Sequence, residues 1–239
     1  MFQILLNVLS YAMIPVAASG LGGVIAAFWP PGTTLKSIIQ HFAAGVVLAA
    51  AVLELLPSVR EQSPWVAILG FAGGIITIVA LRSLASEFER KGNDQANLGL
   101  IAAIGVDLLI DGLVTGAGFA AGEGTGILLT IALSLEFLFL GLSVATNLGG
   151  LSSKWKTVVL PTALSLLAVI GTIIGVIILG SVSAVALATF LAFGAVALMY
   201  LVTEELLVEA HRGAEGPWIA ATLFVGFLVY LVIDELLTH

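Results

Sequence analysis

The stretch Ile101-Ala-Ala-Ile-Gly-Val-Asp107-Leu-Leu-Ile-Asp111-Gly-Leu-Val-Thr115-Gly-Ala-Gly-Phe-Ala-Ala121 carries the decisive reading. It is apolar over a length that matches the roughly 20 helical residues needed to cross a bilayer core. Two aspartates interrupt it four positions apart, a spacing that sets both on one face of a helix. A membrane span with two acids on one face needs an explanation of its length and another of its charge.

The length is repeated along the chain. Eight segments have the span signature: 4–27, 34–57, 65–85, 98–121, 125–148, 157–179, 182–211 and 217–237. The breaks between them have local causes. Pro30-Pro31-Gly32 ends the first, Pro57 and Pro64 bracket the turn after the second, and the polar run from Glu87 to Asn97 follows the third. Gly122-Glu123-Gly124 makes a tight hairpin between the fourth and fifth, and Gly213 to Pro217 parts the last two. Composition agrees: of 239 residues 60% are hydrophobic and 10% charged, with mean hydropathy +1.18, where a soluble domain carries about 25% charged residues. The expected fold is an all-α polytopic membrane protein, one transmembrane domain over 1–239. Met1-Phe2-Gln3 lacks the positive region of a signal peptide, so the first segment is read as a retained helix. There is no cysteine, which excludes thiol ligands and Cys-based catalysis.

Orientation follows from the bases. Lys36, Arg82, Arg90, Lys91, Lys154, Lys156 and Arg212 fall toward alternate connections on one side, and Arg60 alone toward the other. The positive-inside rule puts the seven in the cytoplasm and both termini outside, in a plasma (inner) membrane. The chain also echoes itself. Phe42 to Leu56 ends in Glu54-Leu-Leu, and Phe193 to Leu207 ends in Glu205-Leu-Leu. The second span runs outward and the seventh inward, so the two are read as inverted repeats, a transporter feature, in a 3+2+3 arrangement.

Within the spans, the acids define the candidate site. At ~1.5 Å per residue Asp107 lies ~13 Å and Asp111 ~20 Å from the cytoplasmic end of the fourth span, and Glu136 on the fifth lies at ~18 Å. Three such acids cost on the order of 8–10 kcal/mol if unrelieved. Every Lys and Arg is read as lying at a helix end or in a connection, so no basic partner is expected. The carboxylates must then be neutralised by a bound cation, solvated by a cavity, or protonated and bonded to hydroxyls such as Thr115, Thr130 and Ser134. Intramembrane acids are functional by default, and the expected site is Asp107, Asp111 and Glu136. Glu204, Glu205, Glu209 and His211 on the seventh span, with His41 on the second, are read as an inner cation pathway. Their bland alternative is a solvated helix end and a packed histidine. On the outer side Glu54, Glu61, Glu123, Asp234 and Glu235 face only Arg60. Glu54, Glu123 and Asp234 would form an outer mouth that concentrates cations, against the alternative of ordinary solvation.

Two stretches carry a family likeness. His41-Phe-Ala-Ala-Gly45 through Glu54-Leu-Leu-Pro57 resembles the second span of the ZIP (Zrt/Irt-like) metal transporters. Ala197-Leu-Met-Tyr-Leu-Val-Thr-Glu-Glu-Leu-Leu-Val-Glu-Ala-His211 resembles their seventh. Aligning the family's Glu-Gly on Asp111-Gly112 puts its ligand histidine on Asp107, and taking Gly141 as the fifth-span glycine puts the first ligand there on Glu136. The chain departs from the family pattern elsewhere. Leu108 replaces an asparagine, Ile110 and Phe139 replace prolines, and Leu140 stands where a second glutamate is expected. The histidine-rich loop is absent, and the sixth span has no acid. The resemblance implies a divalent-cation transporter, not an enzyme, moving metal toward the cytoplasm by an elevator-like movement of spans one, four, five and six, and a homodimer. The departures reduce the expected site to one metal. Its oxygen-only ligands suit Mn²⁺, Mg²⁺ or Ca²⁺, while zinc (Zn²⁺) and iron (Fe²⁺) also accept carboxylates. The expected partners are metal ions and lipid, with no nucleic acid and no prosthetic group.

Two other classes compete. Glu204-Glu205 begins the EExxxR pattern of an intramembrane protease family, but Glu209 stands where the arginine is required, and only His41, His211 and His239 exist to bind a metal. A proton-linked carrier, or a metal sensor without transport, would explain the missing ligand histidines.

Overall fold

A computed structural model describes residues 2–89, 93–147, 154–213 and 216–238. Arg90 and Lys91, which enter the orientation argument, and His239 lie outside them. The described residues are helical and contain no strand. In order they form α1 (Phe2–Phe28), α2 (Thr33–Ala50), a π-helical segment (Ala51–Leu55), α3 (Leu56–Arg60), α4 (Pro64–Glu89), α5 (Asn93–Ala121) and α6 (Glu123–Asn147). There follow α7 (Lys154–Leu179), α8 (Ala184–Leu201), a second π-helical segment (Val202–Leu206), α9 (Leu207–Ala210) and α10 (Pro217–Thr238).

Eight of these units are long and apolar enough to cross a membrane: Leu5–Phe28, Thr33–Arg60, Pro64–Ser83, Ile101–Ala121, Glu123–Ser143, Lys154–Leu179, Ala184–Ala210 and Pro217–Leu237. The chain is therefore an integral membrane protein, and the expected spans are met within a few residues. All four tryptophans, Trp29, Trp65, Trp155 and Trp218, are exposed at span ends, where amphipathic rings settle at a bilayer interface. The polar run from Glu87 to Asn97 lies between the third and fourth spans, and its described residues are helical. Helix α4 continues to Glu89 and α5 begins at Asn93, because Glu, Gln and Ala are good helix formers that prolong a span past the apolar core.

The self-echo has a structural counterpart. Thr33 and Ala184, the starts of α2 and α8, stand 151 positions apart (33 to 184), and so do the starts of the two π segments, Ala51 and Val202 (51 to 202). Each π segment holds its glutamate, Glu54 or Glu205, at the same place. Pro57, which lacks an N–H and so weakens helical bonding, follows the first segment, and Val208 occupies the matching place after the second. A shared proline is thus not the cause of the two π turns.

Packing sorts the spans into two blocks. The first, fourth, fifth and sixth pack around one another, while the second pairs with the eighth and the third with the seventh. Glycines set these approaches, as small residues do where helix backbones meet in lipid. A Cβ on Gly112 would run into the Ala168 carbonyl, and one on Gly171 into that of Leu109. The Gly112-xxx-Gly116 face of the fourth span thus meets Gly171-xxx-Gly175 of the sixth. Gly141 closes in the same way on Ser19 of the first span, and Gly45 and Gly226 bring the second and eighth together. Between the fourth and fifth spans only Gly122 intervenes. This short turn holds the two acid-bearing helices antiparallel and adjacent.

Candidate functional site

The fourth and fifth spans bring Asp111 and Glu136 into the interior at 5% and 4% exposure. Glu136 lies within electrostatic range of both Asp111 and Asp107. Asp111 Oδ2 and Glu136 Oε2 are buried and have no hydrogen-bond partner. The hydroxyls expected to relieve them are spent elsewhere. Thr115 donates to the Asp111 backbone carbonyl at 2.8 Å, Thr130 to Gly126 O at 2.8 Å and Ser134 to Thr130 O at 2.6 Å. Each satisfies its own helix, the usual outcome for Ser and Thr inside one, and none of these bonds reaches a carboxylate.

Asp107 is different, and here the expectation of no basic partner is overturned. Arg82 lies in helix α4, inside the third span, not in a connection. Its Nη2 donates to Asp107 Oδ2 at 3.2 Å and also contacts Glu205 Oε1 of the second π segment. The guanidinium stands 5.4 Å from the Tyr200 ring centroid, within cation–π range. Arg82 could do this because its long side chain reaches several ångströms from the helix that carries it. The sequence signal was present: this base falls within the third apolar segment. The three acids thus divide into two orphaned carboxyls, Asp111 and Glu136, and one compensated carboxylate, Asp107. Arg82, Asp107, Asp111, Tyr200 and Glu205 line a cavity of about 30 Å³, room for a water or two.

The inner-pathway residues also divide. Glu205 belongs to the Arg82 cluster. Glu209 pairs with Arg212 at 3.0 Å near the surface, and Glu204 is exposed. His41 and His211 come together instead, with ring centroids 5.2 Å apart. His41 Nδ1 lies 2.8 Å from Ser37 O and His211 Nδ1 2.6 Å from Leu207 O. A carbonyl only accepts, so each Nδ1 carries a proton. Ser37 also donates to Ala210 O at 2.9 Å, tying the second span to the seventh beside this pair.

The outer mouth does not form as one patch. Glu54 is buried at 7% exposure and accepts a 3.3 Å bond from Tyr230 Oη. Thr125 bonds it from the fifth span, and the charge of Asp234 lies nearby. From within the π segment Glu54 thus faces Tyr230 of the eighth span and is buried from solvent. Glu123 is exposed and lines a separate cavity of about 220 Å³ with Asn7, Tyr11 and Phe119. Among the described residues, no group of three or more His, Asp or Glu side chains stands close enough to hold a metal ion. Asp111 and Glu136 are thus two buried acids on adjacent spans, each with one unbonded oxygen. No family model matches the chain, and the curated proteins contain no match to it.

Proposed function

We propose that this protein carries divalent metal cations across its membrane toward the cytoplasm, with both termini outside. Asp111 and Glu136 are the core of the transport site and Asp107 its edge. One observation carries the proposal: two carboxyl groups lie buried on adjacent spans with an oxygen each left unbonded. In a low-dielectric interior an unpartnered carboxylate is costly, and a divalent ion bound between the two offsets that cost. The likeness of the second and seventh spans to ZIP transporters supports the same reading, as does the packing of spans one, four, five and six into a block that an elevator movement requires. The ZIP likeness makes Mn²⁺, Zn²⁺ and Fe²⁺ the leading ions, and the oxygen ligands favour Mn²⁺ among them. Purified protein in proteoliposomes is expected to take up ⁵⁴Mn²⁺ saturably, and Asp111→Asn or Glu136→Gln to reduce uptake at least about tenfold, as expected for loss of a charged ligand in a dry site. Saturable uptake unaffected by both changes would remove these residues from the mechanism.

A second reading has its own support. With no three-ligand group assembled among the described residues, the orphaned pair can hold protons instead of metal, which suits a proton-linked carrier. Titration calorimetry with Mn²⁺, Zn²⁺ and Fe²⁺ separates the two, since a carrier of protons alone gives no heat of metal binding.

A further inference from the structure

We propose that Arg82 is a latch between the two blocks of spans, a built-in cation that occupies Asp107 and seals the carboxyl pair until an arriving ion replaces it. The inference rests on the carrier reading for the arriving ion, and on geometry alone for the seal.

Arg82 projects from the third span, which pairs with the seventh. Two of its contacts, Glu205 and Tyr200, are on that seventh span. The remaining one, to Asp107 at 3.2 Å, crosses to the fourth span in the other block. The guanidinium is thus held twice by its own block and once by its neighbour. A relative movement of the blocks would break the single crossing contact and leave Arg82 seated on Glu205 and Tyr200. The three charged side chains of the latch are each about one-third exposed, at 33% for Arg82, 32% for Asp107 and 33% for Glu205. Asp111 behind them is 5% exposed. The latch therefore stands between a partly solvated layer and the buried pair. The cavity that Arg82 lines together with Asp107 and Asp111, about 30 Å³, is too small for a divalent ion with its hydration shell, so an ion entering it needs the guanidinium to move. The charge balance agrees. A divalent ion at Asp107, Asp111 and Glu136 brings two positive charges to a place where Arg82 supplies one, and like charges this close repel. Loading and latching are then mutually exclusive, and the ion that binds is also the one that unlocks the blocks.

The other repeat has a matching bridge without a charge. Glu54, at the position of Glu205, is bonded by Tyr230 of the eighth span and by Thr125 of the fifth. This contact also joins the two blocks, so the ionic bridge is the side of the molecule that a cation can open.

The chain has no native cysteine, so one introduced at Ala197, on the cavity wall, reports access directly. In purified protein without metal, Arg82→Gln is expected to raise the labelling rate of Ala197→Cys by a hydrophilic thiol reagent about fivefold. That is the shift that loss of a partly exposed ion pair gives a two-state equilibrium. Arg82→Lys, which keeps the charge but cannot fork between two carboxylates, is expected to fall between. Glu205→Gln loosens the latch from its other side, and is expected to raise labelling if Arg82→Gln does not fold. An unchanged rate in the folded variants overturns the seal. In calorimetry, Arg82→Gln is expected to tighten Mn²⁺ binding about fivefold relative to the parent protein. Equal or weaker binding by the variant overturns the competition between ion and latch. Absence of Mn²⁺ binding by the parent protein instead overturns the carrier reading and the ion-driven release with it, while the labelling result still decides the seal.

Discussion

The two π segments occupy equivalent places in sequence and end in the same Glu-Leu-Leu or Glu-Leu pattern, yet their glutamates live in different company. Glu54 is buried and takes its bond from a neutral phenol. Glu205 is partly exposed and meets a guanidinium that also holds Asp107. In each repeat the acid of the π segment contacts the partner span, the eighth or the third, and that arrangement is shared. The chemistry of the bridge is set by what the partner span offers, Tyr230 or Arg82. The lesson is that a repeated backbone feature fixes where a side chain points, and a few unrepeated residues decide whether the contact is neutral or ionic. π turns gather at functional sites, and here one π segment carries a neutral bridge and the other an ionic one.

The sharpest way to break this comparison is through the seams that hold each π span. A Cβ on Gly45 of the second span would run into the Leu223 carbonyl of the eighth, whereas on the third span one on Gly70 would meet the Thr189 carbonyl of the seventh and one on Gly74 its Val196 Cβ at 2.9 Å. The overlap at Gly45 is much deeper than at Gly74, so Gly45→Val is expected to cost about 3 kcal/mol of stability and Gly74→Val about 1 kcal/mol, the two ends of the overpacking range. Thermal unfolding in detergent measures both, and equal losses would mean that the seams are not different. Next in size is the comparison of the bridges. Arg82→Gln removes a partly exposed cation shared by two carboxylates and is expected to cost about 1–2 kcal/mol, a fall in Tm of about 3–6 °C. Tyr230→Phe removes one hydrogen bond, at about 1 kcal/mol and a smaller fall in Tm. The reverse order would make the neutral bridge the stronger. The smallest effect sharpens the assignment: raising salt toward 1 M, where the Debye length is about 3 Å, is expected to narrow the gap between the parent protein and Arg82→Gln. The gap to Tyr230→Phe is expected to stay. A salt-sensitive Tyr230 gap would place the Glu54 bridge among the ionic ones.

Much of the fold was legible in the sequence because hydropathy over some 20 residues is a local property. The Gly122 hairpin was equally readable, since glycine punctuates a turn locally. The paired glutamates of the second and seventh spans also stood out, although nothing in the residues announced a π turn. Other readings failed for physical reasons. Glu54 reads as a mouth residue from its place near the end of a span, but it is buried against Tyr230 of the eighth span. Thr115, Thr130 and Ser134 read as partners for carboxyls, but each has a nearer acceptor one helical turn back. Arg82 reads as a boundary residue because hydropathy fades there, while the helix itself runs on to Glu89.

The sequence alone determined that eight helices cross the membrane and that Asp107, Asp111 and Glu136 enter it, since both depend only on which residues lie within a span's length of one another. Tertiary structure decided which acid is compensated. Whether a guanidinium on the third span reaches the fourth depends on the rotation and spacing of helices that are distant in the chain. Those are set by glycine contacts between backbones, and they leave Asp107 paired with Arg82 while an oxygen of Asp111 and one of Glu136 stay unbonded.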